Sequence, residues 1–161
     1  MSSDDTNSRS GGPLPADDAW SRPPGVDDAT VEACGTLGEA LEWLERARGH
    51  LYEFHQLMGR ADLLFGDAAH QLADAGHREL ARFVESEVVG RNVLAGRWTF
   101  QVVEEFDEGY WAPVREVEGH VRGELMGGRR HVFEAEMKER RRTQGRDRHE
   151  RRPTDEPAAP G

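Results

Sequence analysis

The sequence predicts an all-α protein, a small antiparallel helical bundle with a disordered N-terminus and a basic helical C-terminal extension. Three observations carry this expectation. Apolar residues recur at spacings of three and four through most of the chain's middle. Glycine and proline cut that pattern into helix-length pieces at Gly76, Pro113 and Gly127-Gly128. No stretch alternates apolar and polar residues, and no hairpin turn signal occurs.

Residues 1–33 carry Ser, Asp, Pro and Gly with few large apolar side chains beyond Leu14, Trp20 and Val26, too little to offset the entropy of ordering them, and read as a disordered acidic segment. The bundle is expected over residues 34–128. From Thr36, a candidate N-cap, an apolar stripe runs through Leu37, Leu44, Leu51, Phe54, Met58 and Phe65 to Leu72, predicting one long helix or two in series. Gly49 and Gly66 mark candidate breaks, because each glycine lowers helix stability by about 1 kcal/mol relative to alanine. Gly76 is the expected C-cap, and the next helix runs from His77 to Gly90 or Leu94. A third element starts near Gly96 and carries Trp98, Val102, Val103, Phe106, Tyr110 and Val114, with Pro113 forcing a kink or restart. Residues 129–146 resume a helical pattern through Val132, Phe133 and Met137, and residues 147–161 read as a disordered tail.

At 161 residues with 36% hydrophobic content, one core is the limit. Charge is unevenly placed: residues 1–128 hold 11 basic against 24 acidic side chains, while residues 129–152 hold 10 against 5. The body therefore repels nucleic acid and anionic membranes, and only the basic tail attracts them. Lys138 is the sole lysine among 21 basic residues, a composition that with the acidic body fits life at high salt. Cys34 stands alone, so an internal disulfide framework and a Cys-x-x-Cys pair are both excluded. No run approaches the ~20 apolar residues of a membrane span, and the stretch from Met1 to Asp18 is acidic where a secretory signal needs a basic start. A cytoplasmic location is the expectation.

Glu87 draws attention because an ideal wheel sets it amid Leu80, Phe83, Val84 and Val88, with Arg91 one turn on. A carboxylate facing a core needs a compensating partner or a metal. His55 and Asp62 lie seven residues apart at the edge of the first helix's stripe, with Arg48 seven before His55. If the helices pack in sequence, His55, Asp62, Glu87 and Arg91 converge, and Asp107 joins them from the third element. Two readings follow. In the first, this cluster is a satisfied polar layer that sets helix register, with Glu87 paired to Arg91, and no cofactor is required. In the alternative, His55, Asp62, Glu87 and His120 hold iron, manganese or zinc in the manner of a ferritin-like bundle, since oxygen and nitrogen ligands suit those ions. The Glu-x-x-His spacing of carboxylate-bridged bundles is absent; the nearest match, Asp67-Ala-Ala-His70, projects away from the stripe.

Phe100 and Trp111 fall at the margin of the third element's apolar arc, and Arg140, Arg141 and Arg142 crowd the basic extension. These five are the expected partner surface. Together the features point to a non-enzymatic binding or self-association module, with a protein partner or a second copy as the object bound.

The run Gly90 to Phe106, ending Gly96-Arg97-Trp98-Thr99-Phe100-Gln101-Val102-Val103-Glu104-Glu105-Phe106, and the later run Arg130 to Arg142 resemble a group of small acidic helical proteins from halophilic archaea. The resemblance covers about residues 36–150 and implies a helical fold and high-salt habitat. No function is attached to that group, so it implies no activity or ligand.

Overall fold

The computed structural model describes residues 19–152 and is all-α among them. Helix α1 spans Asp28–Asp74, α2 Arg78–Glu87, α3 Thr99–Phe106, α4 Ala112–Met126 and α5 Val132–Arg141, with a π-helical turn, Asp107–Trp111, joining α3 to α4. The chain divides into two compact units. Among the described residues, one comprises 19–39 with 117–152 and the other 40–116.

Helix α1 begins eight residues before the expected Thr36. Its N-cap is Asp27, whose Oδ1 accepts the Thr30 N–H at 2.8 Å. Val26, just outside the cap, packs against the small core to which Val31, one turn inside, belongs, an arrangement that fixes the helix entry. Thr36 instead lies within the helix, and its hydroxyl donates to the Glu32 carbonyl. The disordered reading of residues 1–33 is thus corrected over 19–33; residues 1–18 lie outside the described residues. No break occurs at Gly49 or Gly66, and α1 continues for 47 residues. It stops at Gly76, in the left-handed region at φ +92°, where His77 N–H bonds the Leu72 carbonyl and Gly76 N–H bonds that of Ala73. That pair of bonds is the Schellman closure expected of glycine past a helix end.

Pro113 acts as its chemistry requires. It lacks an N–H, and its ring crowds the carbonyl four residues back. The chain answers by widening the turn immediately before it: the Ala112 N–H bonds the Asp107 carbonyl, five residues back. In the unit of residues 40–116, α1 and the α3 segment run antiparallel. Arg48 meets Asp107, His55 meets Thr99, and Asp62 meets Gly90 as the chain advances in opposite directions.

The other unit has a small core of Val31, Met126 and Val132, with Val26, Cys34 and Phe133 against it. Gly35 is required there, because a Cβ added to it would stand 2.8 Å from Phe133 Cγ. Burial raises the Cys34 thiol above its ordinary pKa, which leaves it a weak nucleophile. The basic extension folds onto its own unit: Arg22 makes a bidentate pair with Glu136 at 2.7 Å for both contacts, and Arg129 donates to the carbonyl of fully buried Ser21. Helix α5 covers Val132–Arg141, shorter than the expected 129–146, because His131 adopts a left-handed conformation and Arg142 an extended one. Residues 153–161 of the expected disordered tail lie outside the described residues.

Candidate functional site

Three polar residues of α1, each seven apart, look across at the stretch from Gly90 through α3 to Asp107, and each finds its own partner. Arg48 forms a bidentate pair with Asp107, at 2.7 Å from Nε and 2.9 Å from the terminal nitrogen. His55 Nδ1 lies 2.7 Å from the Thr99 hydroxyl. Asp62 accepts the Gly90 N–H at 2.7 Å. Seven residues make nearly two turns, so these side chains return to one face of the helix, the face turned toward its antiparallel neighbour.

The richest of the three points is Arg48. Tyr52, one turn further along α1, donates its hydroxyl to Asp107 at 2.7 Å. The Arg48 guanidinium lies 4.0 Å from the Trp111 ring centroid and 4.9 Å from that of Tyr52, with Arg115 at 4.7 Å from Trp111. Hydrogen bonds from Arg48 and then Tyr52 hold the Asp107 carboxyl below its usual pKa, while accepting character at Asp107 raises the Tyr52 phenol. The π turn places Asp107 and Trp111 on this face, so the irregularity imposed by Pro113 is spent on assembling the node. The charges of Arg48 and Asp107 satisfy one another, which makes the node a clamp between α1 and the π turn.

The convergent cluster expected from the sequence does not form. Glu87 is exposed, as are Arg91 and Leu80, and the Arg91 guanidinium reaches the Glu87 backbone carbonyl at 3.2 Å and not its carboxylate. Helix α2 buries Ala81 and turns Val84 and Val88 inward, a face about 100° from the one the wheel selected. The small residue, not the bulky ones, is the buried one: Ala81 is 6% exposed, while Leu80 and Phe83 are left 57% and 64% exposed. Of the expected set, Asp107 joins Arg48, while His55 and Asp62 take separate partners. His120 is exposed and belongs to the other unit. Among the described residues, no three His, Cys, Asp or Glu side chains gather as metal ligands would.

The expected partner surface is corrected in two places. Trp111 is half-buried in the Arg48 node, its indole Nε1 enclosed. Arg142 is locked to Glu139 by bonds of 2.6 and 2.8 Å, and that pair holds the Glu139 carboxyl below its usual range. Phe100, Arg140 and Arg141 are exposed, with Phe100 edge-on to Trp98 at 5.5 Å.

A surface the sequence reading passed over lies on α1 itself. The apolar arc of this helix is too wide for one neighbour. Its Leu44, Leu51 and Met58 edge is partly covered, whereas Trp43, Phe54, Leu57 and Leu64 are 61%, 38%, 61% and 48% exposed. These residues, with Ala47, His50, Ala61 and Ala68 at the remaining positions, alternate at intervals of four and three from Trp43 to Ala68, a heptad seam. The signal was present in the spacing, but Phe54, Ala61 and Ala68 belong to the broad stripe as well, so the two edges merge when read as one face.

Family models, curated proteins and solved structures give no match to this chain.

Proposed function

We propose that the chain is a non-enzymatic interaction module whose working surface is the exposed heptad seam of α1. One observation carries the reading: large apolar side chains stand in solvent at coiled-coil spacing along a helix whose opposite edge is already anchored. A contiguous exposed apolar surface of this kind marks an association site, because burying it releases about 25 cal/mol per Å². The clamps at Arg48, His55 and Asp62 support the reading, since they fix the rotation of α1 and so hold the seam outward. Phe100, Arg140 and Arg141 are secondary contacts in this scheme. No described helix is long and apolar enough to cross a membrane. The partner in this reading is a protein helix, the natural complement of a heptad seam.

The test is site-specific photocrosslinking in the cells that make the protein, with a benzophenone side chain at Leu57 and, as control, at Glu45 on an exposed polar position. A defined protein adduct from Leu57 and none from Glu45 is expected. Equal yields from both, or none from Leu57, would refute the assignment.

A further inference from the structure

The seam on α1 has a self-complementary pattern, and we infer that its occupant is a second copy of this chain, docked antiparallel in one register. This rests on the proposed reading of the seam as an association surface. An antiparallel pair stacks its core in layers, each made of one residue from either helix. With Phe54 opposite Leu57 of the second copy at the centre, the two-fold axis then sets Ala47 opposite Leu64, His50 opposite Ala61, and Trp43 opposite Ala68. Every layer outside the centre thus joins a large side chain to an alanine. That alternation fills space between helices without voids or overlap.

Charge selects this register among its neighbours. One flank of the seam carries Arg46, Glu53, Arg60 and Asp67, all exposed, with Arg46 held 4.8 Å from the Trp43 ring centroid and Glu53 3.5 Å from His50 Nδ1. In the antiparallel register above, these four meet the same four of the second copy as Glu53 with Arg60 and Arg46 with Asp67, each pair made twice. Slipping the pair by one heptad in one direction sets Glu53 against Glu53 and Arg46 against Arg60. Slipping it the other way sets Arg60 against Arg60 and Glu53 against Asp67. Both alternatives oppose like charges wherever two of these four residues meet. A parallel pair would place the charged flank against the Leu51, Met58 and Phe65 edge, where it finds no counter-charge. The mixed signs along the flank also fit a protein helix better than an anionic lipid surface.

The experiment is sedimentation equilibrium of the full chain, comparing the natural sequence with Glu53→Arg, Arg60→Glu, the double variant and an equimolar mixture of the two singles. The natural chain is expected at twice 18.1 kDa. Each single variant turns two attractions into repulsions and weakens the dimer about tenfold. The double variant restores the natural affinity, and the mixture forms a heterodimer tighter than either homodimer. Leu57→Glu, which sets a charge in the central layer twice, yields monomer, with circular dichroism reporting that the helices persist. A natural chain that is monomeric throughout would overturn self-association, as would a dimer untouched by Leu57→Glu. A dimer lost with Leu57→Glu but blind to the charge swaps would overturn the register. If the Leu57 photocrosslink then reports an adduct with a different protein, the seam remains an association surface and only the identity of its occupant fails.

Discussion

Gly35 and Gly49 sit in the same helix, and replacing each by alanine should move stability in opposite directions. At Gly49 an added Cβ meets nothing within 4 Å, so only the helix-propensity gain of up to about 1 kcal/mol remains. At Gly35 the same methyl would stand 2.8, 3.0 and 3.2 Å from Phe133 Cγ, Cβ and Cδ1. All three contacts are tighter than van der Waals separation, and Phe133 is packed against the Val31–Met126–Val132 core, so its ring cannot swing away freely. Overpacking of this kind costs about 1–3 kcal/mol. Set against the propensity gain, Gly35→Ala should destabilise by up to about 2 kcal/mol, and the difference between the two variants isolates the overpacking cost. Urea unfolding followed by circular dichroism at the helix minimum gives both values. In a Phe133→Ala background most of the Gly35→Ala penalty should vanish, since the ring is gone. Gly35→Ala stabilising the protein as much as Gly49→Ala would refute the packing argument.

Met126→Ala empties the most enclosed side chain of the same small core, 2% exposed, and should lower unfolding free energy by about 2–5 kcal/mol, measured by the same urea titration. Asp107 and Glu139 both have carboxyls held below their usual range, by Arg48 and Arg142 respectively. Groups shifted in that direction contribute stability that is complete above the unfolded carboxylate values, near ~4, and is lost as pH falls through the folded values. The urea midpoint should therefore drop steeply on acidification below about pH 4, and Asp107→Asn should make that limb shallower; an unchanged acid limb would argue against the Arg48–Asp107 clamp. Asp62→Ala removes the acceptor of the Gly90 N–H and should speed hydrogen exchange at that amide, whereas Asp62→Asn retains an acceptor oxygen and should leave it slower.

Much of this architecture was legible in the residue pattern, and the exceptions have physical causes. The all-α class, the stop at Gly76, the disturbance at Pro113 and the stop at Gly127-Gly128 follow from backbone chemistry that acts locally, so the sequence reveals them directly. The heptad spacing of Arg48, His55 and Asp62 also identified a true polar edge, because in a long helix seven residues return to one face. Their partners were not legible, since they depend on which stretch of the chain between Gly90 and Asp107 lies opposite. The start of α1 was missed because its cap, Asp27, sits among other acids that give no apolar onset. Glu87 was misplaced because α2 is ten residues long and carries apolar groups on two faces; packing chose the face with Ala81. The α1 seam was hidden for a related reason, two adjacent apolar edges sharing residues and serving different neighbours.

The most direct test of the central claim is an electron–electron dipolar distance between two copies carrying a spin label at His70→Cys, with Cys34→Ser removing the native thiol. His70 is exposed on the side of α1 away from the seam, so the label does not enter the interface. In the antiparallel register residue 70 lies level with residue 41 of the second copy, giving an axial offset of about 44 Å from the helical rise. A distance distribution centred at that offset or up to about 10 Å beyond it is expected, because both labels also stand outward from the pair. A distance under roughly 35 Å, within reach of neighbouring parallel helices about 10 Å apart that each carry an outward label arm, would contradict the antiparallel pairing, and the absence of any dipolar coupling would contradict self-association altogether.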